Sequence, residues 1–541
     1  MSEVVRFWEG SRFAAHPPLD LGSARHTGTG GTTLSKEQQA SNAAAPLRSS
    51  AAGDGSHIAL IYQDRSISYA DLDSRVDRVT AALTSVGVRK GDRVALMIQN
   101  IPAFVETYYG ILRTGAVAVP MNIGYTPDEV AHILSDSEAR ALIVADPFAG
   151  VVDGLRETLP MLEHVVVVGG TRTGTISYDQ FLNMGDTATD ADCAEDDLAC
   201  LVYTSGTTGR PKGAMLSHGN LLSNLEQMSQ VPLLQAQESD VVLLVLPLFH
   251  IYALNVCLGL AIREGATALL LERFDAVGSL DQVEKHGVTV LYGAPPMYSA
   301  WLNTPGTESR DLSKVRLAVS GAAALPASVM EAFRDRLGIT IWEGYGLTET
   351  SPALTSNAMG DEAKPGSIGR ALPGVEIRLV DEDGEDVVEG DPGEIVTRGP
   401  NIFQGYWRRD QDTKEAFRSG WFHTGDVAYR DEDGYLFIVD RKKDLIIVSG
   451  FNVYPREVEE VLLRHPKVAE VAVVGVAHPY SGEAVKAVIV LTEGASATEE
   501  EFDDFSRRHL ARFKCPSVIE FASALPHTMT GKVLRRALRE D

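Results

Sequence analysis

Cysteine is scarce in this chain of 541 residues: Cys193, Cys200, Cys257 and Cys515 are the four. None stands at metal-ligand spacing from another, which argues against a zinc site and a disulfide framework and agrees with a reducing, cytoplasmic setting. Positive charge is also short, with 49 Lys and Arg against 74 Asp and Glu and a net charge of −25. Such a field repels phosphate backbones and anionic lipid surfaces, so nucleic-acid and peripheral membrane binding drop down the list of activities. It leaves room for a small anion in a locally basic pocket. The start MSEVVRFWEG has neither the basic opening nor the apolar run of a signal peptide. One stretch of low charge, Val241 to Ile262, is long enough to cross a bilayer. It holds Pro247, His250 and Asn255 and is flanked by Asp240 and Arg263. A strand, a turn and a buried helix are therefore expected there, and no transmembrane segment. No GxSxG occurs, so a serine hydrolase has no support.

What is present reads as a soluble globular protein, 44% hydrophobic and 23% charged. At roughly 150 residues per domain, three to four structural units fit. Residues 1–55 are rich in Ala, Gly, Ser and Thr and read as a flexible leader. From Ile58 helices and strands alternate. Leu72, Val76, Val79 and Leu83 recur at helical spacing up to Gly87, and Val94–Ile98, Ala141–Val144 and Val165–Val168 read as buried strands. Thr126-Pro127-Asp128-Glu129 is a helix start with a capping box. The class is α/β: residues 56–440 as a large N-terminal domain of mostly parallel sheets flanked by helices. Past Asp381, short strands such as Glu394–Thr397 and Tyr435–Val439 predict a small antiparallel or barrel-like subdomain. The charged run at 440–444 marks a boundary, and residues 441–541 form a small, mobile α+β C-terminal domain.

The sharpest local feature is Tyr203-Thr204-Ser205-Gly206-Thr207-Thr208-Gly209-Arg210-Pro211-Lys212-Gly213, directly after the apolar run Leu198–Tyr203. Glycines let backbone N–H groups approach a polyphosphate, hydroxyls donate to it, and a lysine neutralises charge. Pro211 before Lys212 rules out the Walker loop. Composition alone leaves a phosphate loop and an ordinary solvent loop as even alternatives.

Other segments settle the choice. Leu246-Pro247-Leu248-Phe249-His250-Ile251-Tyr252, Ser320-Gly321-Ala322-Ala323, Gly344-Tyr345-Gly346-Leu347-Thr348-Glu349-Thr350, Thr424-Gly425-Asp426, Arg441–Asp444, Ser449–Pro455 and Pro526–Lys532 follow in that order. Together with the phosphate loop they resemble the adenylate-forming superfamily: acyl- and aryl-CoA synthetases, adenylation enzymes and beetle luciferases. The resemblance runs from about Ile58 to Arg536. It implies a two-step ligase using ATP, Mg²⁺ and coenzyme A, in which a carboxylate is first joined to AMP and then passed to a thiol.

By the same resemblance, Thr204, Ser205, Gly206, Thr207, Thr208, Gly209 and Lys212 hold phosphates. Gly321, Ala322, Ala323, Glu343, Gly344, Tyr345 and Gly346 surround the nucleotide, with Tyr345 as a flat face for adenine. Asp426 and Arg441 take the ribose, and Thr348 donates to phosphate or carboxylate. Glu349, with Thr204 as a weaker candidate, is an oxygen ligand for Mg²⁺. Lys532 meets the charge that builds during adenylation. His250, Tyr252, Tyr292, Val319 and Gly344 line the acyl pocket. Lys443 is the hinge position, and Ser449, Gly450 and Phe451 belong to the loop that serves thiol attack. Lys486, Arg441 and Lys442 are candidates for the CoA phosphate.

The wording around Arg441–Pro455 and Thr530–Arg536 looks closest to bacterial long-chain fatty acyl-CoA ligases. Pro247–Asn255 also looks like the pocket segment of plant hydroxycinnamate-CoA ligases, but Val319 stands where those carry a lysine. That loss favours a medium or long aliphatic acid, with a bulky aryl or polycyclic acid behind it. Ile447 replaces a lysine of the luciferases, which argues against their oxidation step. Two alternatives stay open: an enzyme of one half-reaction, or one loading an acyl carrier protein, and a nucleotide- or acyl-binding sensor without turnover. A homodimer is compatible with the resemblance.

Overall fold

The computed structural model of the protein describes residues 41–541 apart from 153, 156–157, 205–210, 442–443, 449–450, 479–481, 529–531 and 540–541. Its N-terminal portion is built on two large sheets. The nine-stranded sheet has a parallel centre, in the order Ile341–Gly346, Leu317–Ser320, Val290–Gly293, Val241–Leu244, Thr267–Leu270, Ile58–Tyr62. Antiparallel strands close it, Arg65–Ser68 at one edge and Ala353–Ser356 with Arg370–Ala371 at the other. The seven-stranded sheet is parallel from Ile176–Ser177 through His164–Val168, Ala139–Ala145, Arg93–Met97 and Val117–Pro120 to Leu198–Thr204. Lys212–Ser217 ends it as an antiparallel edge. The central strands are short Val, Ile, Leu and Ala runs buried on both faces, as a sheet covered by helices requires.

The helices follow their sequence signals. Leu72, Val76, Val79 and Leu83 are the buried stripe of the helix Tyr69–Ser85, which Ser68 caps by accepting from the Asp71 amide. The capping box at Thr126 is formed: Glu129 N–H donates to Thr126 Oγ1 and Thr126 N–H to Glu129 Oε2 at 2.8 Å.

Residues 41–55 depart from the leader reading. The segment Ala45–Gly53 is a helix, with Leu47 fully buried and Ala43 and Ala44 in the core. Asn42 Nδ2 donates to the Leu112 carbonyl at 2.7 Å, Ala43 N–H donates to His218 Nδ1 at 3.0 Å, and Arg48 reaches Asp73, Asp77 and Asp190. Alanine makes a segment look low in complexity, yet it is the best helix former and lets a helix approach closely. The folded chain therefore starts well before Ile58, while the rest of the leader, 1–40, lies outside the described residues.

The stretch Val241–Ile262 is a strand, a turn and a buried helical segment, as the sequence implies. Tyr252–Gly259 is a π-helix, followed by one α-helical turn at Leu260–Arg263. Among the described residues no helix is long and apolar enough to cross a membrane.

The expected antiparallel or barrel-like unit is a five-stranded antiparallel sheet, in which Trp421–Arg430 pairs with Gly393–Arg398, Phe417–Arg418 and Leu436–Arg441. Glu376–Val380 extends it. Beyond it, Ile446–Val448, Phe451–Val453, Val468–His478, Gly482–Leu491 and Val518–Ala522 form another sheet. With the helices Pro455–Leu462 and Glu499–His509 it encloses a core of its own, around Val458, Leu462, Val473, Ile489 and Phe502.

Candidate active site

The parallel strands Val290–Gly293, Leu317–Ser320 and Ile341–Gly346 lie side by side, and the candidate residues cluster at their C-terminal ends. That is where open α/β sheets bind ligands. Gly321-Ala322-Ala323 follows the middle strand directly, and Ala322 turns the chain at a left-handed φ of 71°. The next strand delivers Glu343, Gly344, Tyr345 and Gly346. Gly346 is needed sterically: a Cβ there would lie 1.8 Å from the Pro352 carbonyl oxygen.

Tyr345 O–H donates to Asp426 Oδ2 at 2.6 Å. Asp426 is buried, its backbone N–H donates to Thr424 Oγ1, and its other oxygen faces Arg441 Nε at 3.2 Å. The pairing comes from the sheet register, in which Asp426 sits opposite Arg441 on neighbouring strands and both project to one face. Burial, with the Asp426 carboxylate beside it, holds the Tyr345 phenol well above its usual range. Glu343 is buried too. Its Oε1 accepts the Leu325 amide at 3.0 Å, and Oε2 has no hydrogen-bond partner among the described residues. Burial pushes this carboxyl up to about 7.

Glu349 stands in the turn Thr348–Thr350 and is buried. Burial raises its carboxyl, opposed by a 2.8 Å hydrogen bond from Tyr406 O–H and by the charges of Lys532 and Arg441. The Lys532 charge also acts on His250, whose imidazole burial drives down to about 3. Lys532 N–H donates to Thr528 Oγ1 at 3.1 Å and Thr528 N–H to the Lys532 carbonyl at 2.7 Å.

Thr204 and Lys212 are directly paired at the mouth of the hairpin that carries the candidate phosphate loop. Ser205, Gly206, Thr207, Thr208 and Gly209 lie outside the described residues, as do Lys442, Lys443, Ser449 and Gly450. Lys212 Nζ is bound to Asp412 and sits 5.5 Å from the centre of the Tyr406 ring. Tyr406 therefore links Lys212 to Glu349. Neither it nor Asp412 was found from the sequence, since no motif or period marks them.

On the acyl side, Tyr252 opens the π-helix and its hydroxyl donates to the Val319 carbonyl at 3.2 Å. Tyr292, one strand away in register with Val319, meets the Tyr252 ring edge-on at 6.2 Å. Tyr298, missed in the sequence reading, donates to the same carbonyl at 2.8 Å. A π-turn widens the helix at this point, which commonly occurs at functional sites. Phe451 is elsewhere: it stacks on Phe513 at 4.8 Å and is 57% exposed. Lys486, a candidate for the CoA phosphate, is buried and ion-paired with Glu520 at 2.8 Å.

The sequence matches the family model described as AMP-binding enzyme over residues 47–407, and that of the AMP-binding enzyme C-terminal domain over 457–532. This chain belongs to the AMP-binding enzyme family. Among its relatives, the long-chain-fatty-acid–CoA ligase of Bacillus subtilis (strain 168) is 37% identical over 526 residues, 92% of this chain and 93% of that protein. The feruloyl-CoA synthase of an Amycolatopsis species is 40% identical over 476 residues, 88% and 94% of the two chains. Among solved structures, the anthranilate CoA ligase AuaEII in complex with anthranoyl-AMP superposes with a TM-score of 0.86 at 33% identity, covering 92% of this chain and 96% of that one.

Proposed function

We propose that this AMP-binding enzyme is an ATP-dependent carboxylic acid:CoA ligase that works through an acyl-adenylate. The reading rests above all on one juxtaposition. Tyr345, Asp426 and Arg441 form a ring-and-carboxylate cluster at the end of the strand that leads directly into the turn of Glu349. In this reading adenine lies against Tyr345 and the ribose hydroxyls on Asp426. Lys532 offers a positive charge to the carboxylate and α-phosphate oxygens as the mixed anhydride forms, with pyrophosphate as the leaving group. AMP is then a good leaving group: the thiol gives up its proton, its sulfur bonds to the acyl carbon, and the bond from that carbon to the phosphate oxygen breaks.

Glu349 fits a Mg²⁺ ion by its chemistry: a buried carboxylate whose described hydrogen-bond donor, Tyr406, is neutral gains from a cation. When bound there, Mg²⁺ would neutralise phosphate charge; Thr204 is the further oxygen candidate. Residues 441–541 are read as a domain that moves between the two half-reactions, with coenzyme A as the acceptor.

For the acid, the aromatic and aliphatic wall of buried Tyr292 and Val319 and partly buried Tyr252 favours an apolar chain of medium or long length, in keeping with the fatty-acid ligases among the relatives. An aryl acid is the second reading, favoured by the edge-on Tyr252–Tyr292 rings and by the feruloyl and anthranilate relatives. The test follows pyrophosphate release without thiol across fatty, aryl and polycyclic acids, then thioester formation from supplied acyl-adenylate with coenzyme A or a carrier protein. Both signals on one acid are expected. Lys532→Ala should lower the first by about a hundredfold or more and leave the second nearly intact. Absence of both signals for every acid would overturn the proposal.

A further inference from the structure

The strand Leu436–Arg441 ends in two adjacent residues whose side chains must project to opposite faces. Arg441 turns to Asp426 and the nucleotide side. Asp440 turns the other way and is buried, 4% exposed. Its Oδ2 accepts the Arg456 amide at 2.9 Å in the first turn of the helix Pro455–Leu462, and its Oδ1 accepts Arg535 Nη1 at 3.2 Å. Arg535 is three residues beyond Lys532.

The partners of Arg535 divide by origin, with Glu459 and Asp444 (Oδ2 3.8 Å from Nη1) on the C-terminal side and Asp440 on the other. Glu459 takes its Nη2 with both oxygens at 2.9 Å, and Glu459 also accepts the Val473 amide at 2.8 Å. These contacts tie Arg535 to the helix and sheet of the C-terminal portion. Asp440 instead hangs from a strand that pairs residue for residue with Trp421–Arg430, the strand of Asp426. The Asp440–Arg535 pair therefore joins the segment of Lys532 to the sheet that carries Asp426 and Arg441. Burial raises the Asp440 carboxyl, and the Arg535 charge and the Arg456 and Arg441 amides oppose this.

We infer that Asp440 and Arg535 are positioning residues: a partly buried ion pair between the strand Leu436–Arg441 and the C-terminal segment that holds Lys532 in the pose used for adenylation and so sets the balance between the two half-reactions. The inference rests on the reading given under Proposed function. Neither side chain is assigned a contact with substrate; each acts through Lys532. Breaking the pair frees the C-terminal portion to leave this pose, so adenylation falls and thioester formation does not.

The experiment compares the intact protein with Asp440→Asn, Arg535→Gln, the double variant and Arg535→Lys. Asn keeps an oxygen for the Arg456 amide and removes only the charge. Two rates are measured separately: single-turnover pyrophosphate release without thiol, and thioester formation from supplied acyl-adenylate and coenzyme A. Each single variant is expected to slow the first about tenfold or more while the second stays within about twofold, since a misplacement near 1 Å is enough for such a loss. The double variant should be no slower than the worse single, and Arg535→Lys should recover part of the rate. Equal loss of both rates, as from a general folding defect, overturns the inference, and so does no change in either. If Asp440→Asn does not fold, Arg535→Gln and Arg535→Lys decide the same question. An unmodified protein inactive in both steps would instead overturn the proposed function.

Discussion

Glu343 carries a consequence of its own. A carboxyl raised to about 7 by burial binds its proton more tightly in the folded chain than in the unfolded one. Its contribution to stability is therefore fully present at low pH, falls as pH rises from about 4.5 to 7, and is lost above that. Glu343→Gln removes the titration. Thermal melts should show the variant gaining on the parent by up to about 3 kcal/mol near pH 8 and by little near pH 5; an equal difference at both would refute the assignment. Tyr406 offers a second check at this scale. Its hydroxyl lowers the Glu349 carboxyl against the effect of burial, so Tyr406→Phe should raise that group further. The acid limb of the pH profile for pyrophosphate release should then move to higher pH, and an unmoved limb would show that Glu349 does not need to be ionised.

Among the elements, the helix Ala45–Gly53 separates composition from packing. A leader residue costs nothing when truncated, but Leu47 is fully buried, so Leu47→Ala should cost about 2–5 kcal/mol in denaturant unfolding. Its sequence carries small residues and a single apolar anchor, which is why no helical period was visible. The strand Ile341–Gly346 is the opposite case. Its motif was legible, and the close approach of the Pro352 carbonyl explains why glycine occupies position 346. Gly346→Ala should destabilise by about 2–3 kcal/mol or more, as overpacking against rigid backbone does. The same thermal melts would detect it.

At the scale of the whole molecule, the C-terminal residues enclose a core that shares no member with the core between the large sheets. Phe502 lies at its centre and is fully buried. Phe502→Ala is expected to cost about 3–5 kcal/mol and to lower a C-terminal transition in calorimetry, leaving that of residues 41–440 in place. A single transition shifted as a whole would mean that the two portions unfold together.

The sequence by itself determined the α/β class, the order of the motifs and most of the candidate site. Those signals are local: strand runs, capping residues and loop composition act within a few residues and need no partner. Tertiary structure alone decided that Tyr406 bridges Lys212 and Glu349, that Asp412 pairs with Lys212, and that Tyr298 backs the acyl wall. It also decided that Asp440 meets Arg535, 95 residues later in the chain. A charged or aromatic side chain carries no period that reveals its partner. Its role is set by which strand it projects from, to which face, and what the fold brings to within 3 Å.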